Sequence, residues 1–154
     1  MNSNQITLTE LEIVYQPGKI TYNDIPISSS KIAHRLLLES FDANSIFYQE
    51  ECVVMYLRNN CTVLGIQKLS KGGINSTIVD IRIILGTALK TLSTAIILAH
   101  NHPSGKLVPS TNDKLLTKQL EEACKLFDIK LLDHLIVSPL GTYFSFADDG
   151  LITT

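Results

Sequence analysis

Apolar and polar positions change period several times along the chain, and those changes lay out alternating strands and helices. Residues 5–15 alternate and predict a strand. Pro17, Gly18 and Pro26 then mark a loop or edge segment. Ser28–Ser30 offer a hydroxyl cap, and Ala33, Leu36, Leu37 and Phe41 follow at helical spacing. CVVMYL, residues 52–57, has the composition of a buried strand; RNNCT reads as a turn and Val63–Leu69 as a second strand, together an antiparallel hairpin. Gly72 and Gly73 break the chain, after which Ile81, Ile84, Leu85, Ala88, Leu89 and Leu92 mark a second helix. TAIILAH, residues 94–100, is a short apolar run of β-branched character and predicts a central strand. Leu116, Leu120, Ala123, Cys124 and Phe127 mark a third helix; IKLLDHLIVS predicts a strand, and GTYFSFA a last one after a turn at Gly141. The interleaving predicts an α/β or α+β layer protein, a mixed sheet flanked by helices. The hairpin argues against a purely parallel sheet.

A length of 154 residues suits one domain, with residues 1–45 expected as an N-terminal strand and helix extension packed on it. Apolar residues at 45% and charged residues at 18% exclude a disordered or fibrous chain. The net charge of −2 lends no support to a phosphate-backbone partner. The apolar run over residues 91–99 is too short to span a bilayer, and the first residues do not read as a signal peptide, so a cytoplasmic location is expected. Cys52, Cys61 and Cys124 are odd in number and form no CxxC, which predicts free thiols in the core.

The chemistry concentrates in HNHPSGKLVPSTND, residues 100–113. In extended chain, positions i and i+2 point to one side, so His100 and His102 can face one ion. Pro103, Ser104 and Gly105 turn the chain, and residues 109–113 open the third helix, where the Asp113 carboxylate can return to the same point. Two imidazoles and a carboxylate form a catalytic zinc set with the fourth position left for water, whose pKa the metal lowers toward about 7. Glu50 and Glu51, at the start of the 52–57 strand, are candidates for the accompanying proton carrier; strand alternation lets only one face the metal. A plain structural reading stands beside this: Ser110-x-x-Asp113 is also a capping-box pattern, with Asp113 favourable to the helix dipole without any metal.

His100, His102, Ser110 and Asp113, at the spacing His-x-His, seven residues, Ser, two residues, Asp, resemble the JAMM (MPN+) metalloprotease signature. ILAHNHPSG followed by PSTND is similar to its bacterial RadC-like branch, as are EECVVMYLRNN, KGGINSTIVDIR, LLDHLIVS and YFSFADDG; the resemblance covers about residues 45–150. It implies a cytidine-deaminase-like fold, zinc held by His100, His102 and Asp113, and Ser110 stabilising the oxygen that develops charge. It also implies an upstream glutamate acting on the attacking water, which falls on Glu50, with Glu51 one residue out of register. The implied reaction is hydrolysis of an amide or isopeptide bond in a protein or peptide. The family's usual N-terminal helical region, similar to helix-hairpin-helix DNA-binding modules, has no counterpart pattern in the first 45 or so residues.

The rival reading is a RadC-type DNA-repair or mobile-element accessory protein, a DNA-associated or protein-interaction module without peptidase activity. A zinc deaminase would need His-x-Glu and Pro-Cys-x-x-Cys, and neither occurs. His134, beside Asp133 on a strand, reads as a satisfied core hydrogen-bonding residue, with support behind the metal ligands or a substrate contact as the alternatives. Asn101 is expected to face away from the metal, and His34 to lie on the surface.

Overall fold

The computed structural model describes residues 26–72 and 79–153; the strand expected over residues 5–15 and the break at Gly73 lie outside them. In chain order the described elements are α1 (Ser30–Leu38), β1 (Glu51–Leu57), β2 (Val63–Lys71), α2 (Ile81–Lys90), β3 (Ala95–Asn101), α3 (Thr111–Lys125), β4 (Lys130–Val137) and β5 (Tyr143–Ser145). The strands form one mixed sheet in the order β2-β1-β3-β4-β5. The β3–β4 pair is parallel and every other pair antiparallel.

Strand alternation divides the core between the two faces of this sheet. On one face Val53, Met55, Leu57, Ile97 and Ala99 pack with Ala33 and Leu37 of α1. On the other, Cys52, Val54, Tyr56, Ile96 and Leu98 pack with Ile84 and Ala88 of α2 and Leu120 and Cys124 of α3. All seven residues of β1 and of β3 are buried, because both faces are covered. That explains why these two strands read as unbroken apolar runs rather than as alternating ones.

The helix ends differ from the sequence pattern for local reasons. Ser29 caps α1, its side chain accepting from the Ile32 N–H. The helix stops at Leu38, and Phe41 reaches the core from a tighter turn in which its N–H donates to the Leu38 carbonyl. In α2 the periodic position Leu92 falls beyond the end. It takes φ 53° while Ser93 N–H donates to Ala88 O, a Schellman closure with leucine where glycine is usual. His34 is buried, against the surface expectation, because its helix face turns to the sheet and the ring stacks on Tyr143 at 4.4 Å. Cys52 and Cys124 are buried as expected, whereas Cys61 is half-buried in the hairpin turn at φ 60°. No helix among the described residues is long and apolar enough to cross a membrane.

The element that places the site is the β3-α3-β4 crossover. In such a unit the carboxyl end of the first strand lies beside the amino end of the following helix, where ligands collect.

Candidate metal centre

His100 lies near the end of β3 and His102 one step past it. The His102 N–H still donates to Val137 O of β4 at 2.9 Å, so the parallel ladder continues and keeps both imidazoles on one side. Pro103 and Ser104 then form a turn closed by Gly105 N–H on His102 O. Gly105 has φ +74°, a conformation that favours glycine. The loop returns so that the Lys106 carbonyl stands 2.7 Å from His102 Nδ1. A carbonyl only accepts, so His102 carries its hydrogen on Nδ1 and turns Nε2 toward the cluster.

The third donor comes from the first turn of α3. Ser110 is the N-cap and Asp113 the third helical residue, joined in a full capping box. Asp113 Oδ2 accepts from the Ser110 N–H and hydroxyl, both at 2.7 Å. Its Oδ1 faces His100 Nε2 at 3.2 Å, and Oδ2 lies 3.6 Å from His102 Nε2. The capping box expected of Ser110-x-x-Asp113 is present, and it also fixes the carboxylate that faces the two imidazoles.

His100, His102 and Asp113 each offer one donor atom, and these atoms lie within 4.8 Å of one another, a group able to hold a metal ion. The donor chemistry fits that use. The two Nε2 atoms are 3.0 Å apart, a contact that needs a shared hydrogen or a cation beside both. Asp113 is pushed up by burial, yet its bonds with His100, His102 and Ser110 hold it far below the usual carboxylate range. Asp113 in turn raises the pKa of His102 against burial, helped by the Lys106 carbonyl and by the charges of Asp113 and Glu50. The cluster thus favours a positive charge on His102 beside the Asp113 carboxylate.

The two glutamates part company. The register pairs Cys52 with His100 on one face, and Glu50, two residues before Cys52, shares that face. Gly72 N–H donates to Glu50 O, so the ladder extends this far, and the charge of Glu50 is felt at Cys52 and His102. Glu51 points to the opposite face. There it accepts from Ser45 Oγ at 2.6 Å and from Asp42 N–H at 3.2 Å, and pairs with Lys71 Nζ at 3.1 Å. Asn101 also faces away from the cluster. It accepts from Glu51 N–H at 2.6 Å and donates to Ile46 O and Gln49 O, tying the start of β1 to the end of β3.

Behind the donors stands His134, fully buried on β4. Its Nε2 lies 2.8 Å from His100 Nδ1, and its Nδ1 lies 2.6 Å from Thr117 Oγ1. Burial, followed by the neighbouring charge of His100, holds its pKa well below the ordinary value. The satisfied core hydrogen bonds expected of His134 are present: its ring nitrogens face His100 and Thr117, and Asp133 accepts from its backbone N–H. Sequence reasoning missed Thr117. The available signal was its position four residues after Asp113, on the same helix face. The Lys106 carbonyl left no signal, because any residue supplies one.

An α+β fold with this donor set at a strand–helix junction defines a JAB-type domain with a candidate metal centre. The chain belongs to the RadC-like JAB domain family, whose model matches residues 27–151. It is similar to a UPF0758 protein of Porphyromonas gingivalis, 45% identical over 104 residues, 68% of this chain and 46% of that one. A UPF0758 protein of Flavobacterium johnsoniae is 46% identical over 102 residues, 66% of this chain and 44% of that one. One of Streptococcus sanguinis is 36% identical over 151 residues, 94% of this chain and 64% of that one. The matches thus span about half to two thirds of these relatives' length.

Proposed function

We propose that this chain is a zinc-dependent hydrolase of amide or isopeptide bonds, with His100, His102 and Asp113 as the metal ligands. The observation that carries the reading is the convergence of two Nε2 atoms and a carboxylate on one point, each held from behind by a separate hydrogen bond. Zinc bound there lowers the pKa of a water toward about 7 and polarises a carbonyl. Glu50, on the metal face of the sheet, takes a proton from the attacking water and returns it to the leaving amine. Ser110 stabilises the oxygen that develops negative charge. Its hydroxyl hydrogen is held by Asp113 at 2.7 Å and turns from that carboxylate to the substrate oxygen as the charge forms. Glu51 takes no part, being committed to Ser45 and Lys71 on the other face. An intact ligand set favours this reading over an interaction module that has no use for one.

The test has two arms. Metal analysis of the purified protein is expected to give one zinc per chain, lost in His102→Ala with the fold retained. The zinc-loaded protein is then incubated with libraries of peptide and lysine-isopeptide bonds. Mass spectrometry is expected to find cleavage products with the native protein that are at least about 100-fold rarer with Glu50→Gln, the loss typical of removing an acid–base group. Equal zinc in His102→Ala, or a product pattern indifferent to Glu50→Gln, overturns the reading.

A further inference from the structure

The bonds behind His100 form a chain with a defined direction. Thr117 Oγ1 lies 2.6 Å from the Asp113 backbone carbonyl, which only accepts, so the single hydroxyl hydrogen is spent there. Oγ1 then receives rather than gives at its other short contact, 2.6 Å from His134 Nδ1. His134 is enclosed, its ring stacked on Phe146 at 4.7 Å and 14°, so its two nitrogens have fixed partners. An imidazole with its one hydrogen on Nδ1 offers a lone pair at Nε2, and His100 Nδ1 is 2.8 Å away to supply the hydrogen.

We propose that Thr117 and His134 are positioning residues that lock a hydrogen on Nδ1 of His100, so that Nε2, which faces His102 Nε2 at 3.0 Å and Asp113 Oδ1 at 3.2 Å, is the nitrogen left to exchange a proton for a metal. The lock starts on the backbone of Asp113, so α3 sets both the carboxylate donor and, through β4, the protonation of an imidazole donor on β3. His102 needs no such relay because the Lys106 carbonyl fixes it directly. The value of the lock for zinc rests on the hydrolase reading above; the tautomer itself does not.

The test reads ring nitrogens by long-range proton–nitrogen NMR in the metal-free protein at mildly alkaline pH, and zinc affinity by competition with a chelating dye. The native protein is expected to show the Nδ1–H form at both His100 and His134. Thr117→Val, nearly equal in shape, removes the acceptor for His134; both rings are expected to redistribute toward the Nε2–H form and zinc affinity to fall about 10-fold or more. Thr117→Ser restores both. His134→Gln, which keeps an acceptor within reach of His100, is expected to keep its Nδ1–H form, while His134→Phe loses it. An Nε2–H tautomer at His100 in the native protein, or unchanged tautomers and affinity in Thr117→Val, overturns the lock. If the native tautomers are as expected but no zinc binds, the lock stands and the zinc assignment falls. If zinc binds one per chain and Thr117→Val changes nothing, the assignment stands and the lock falls.

Discussion

At the scale of single residues, the neighbouring carboxylates Glu50 and Glu51 meet different surroundings because a strand sends them to opposite faces. Glu51 is the structural member of its pair. Burial pushes its pKa up, but the hydrogen bonds from Ser45, Lys71 and the Asp42 backbone outweigh that and leave it below the ordinary value. A depressed carboxylate adds stability above its unfolded pKa, about 4.3, and loses it as pH falls through the lower folded value. Glu51→Gln is therefore expected to cost about 2 kcal/mol at neutral pH, the scale of hydrogen bonds to a buried charge. That difference should shrink steadily below about pH 4.3. Urea denaturation of both proteins across that range checks it; a gap that widens in acid contradicts the assignment. Zinc binding should be little affected, which separates Glu51 from every residue of the cluster.

At the scale of elements, α3 and α2 make contrasting use of their ends. The amino end of α3 presents Ser110 and Asp113 as a cap that also holds a donor. Ser110→Ala is expected to cost about 1 kcal/mol of stability in the metal-free protein, as other N-cap losses do. It should also weaken zinc binding, because Asp113 Oδ2 keeps only the Ser110 N–H of its two cap donors. A cap loss with unchanged zinc affinity would detach the carboxylate's orientation from the cap. The carboxyl end of α2 carries a removable cost. Leu92 is 84% exposed and sits at φ 53° in the closing position of the helix. Leu92→Gly is expected to stabilise the protein by about 1 kcal/mol, since glycine adopts this conformation without the side-chain clash. Chemical denaturation reads it directly, and a destabilised variant would mean that Leu92 packs in solution.

At the scale of the molecule, the centre ties together elements far apart in sequence. Its donors come from β3 and α3, its support from β4, and its neighbouring glutamate from the start of β1. A ligand that binds only this assembled arrangement stabilises the whole fold. Zinc at about 100 times its dissociation constant is expected to add about 2.7 kcal/mol, a rise in Tm of about 5–10 °C for a chain of this size. Calorimetry with and without chelator checks it; His102→Ala should show no such rise, and an equal rise in both proteins would place the zinc elsewhere. The pKa of His102 is raised, and a metal displaces any proton from its Nε2, so zinc uptake should release protons into weakly buffered solution.

Among the described residues, the element order, the hairpin, the buried character of β1 and β3 and the His100-x-His102…Ser110-x-x-Asp113 segment were legible in the chain, because each rests on local periodicity or on contacts between near neighbours. The choice between Glu50 and Glu51 was not, since it depends on which residue of β3 lies opposite Cys52 and on the salt link that draws Glu51 to Lys71. Nor were the contacts of His134 with His100 and Thr117, which arise because β3 and β4 run parallel with α3 crossing between them. Which side chains have the chemistry to bind a metal is a property of residue type and spacing. Which of them share a proton is set by strand register and helix placement, and those are decided only when the layers pack.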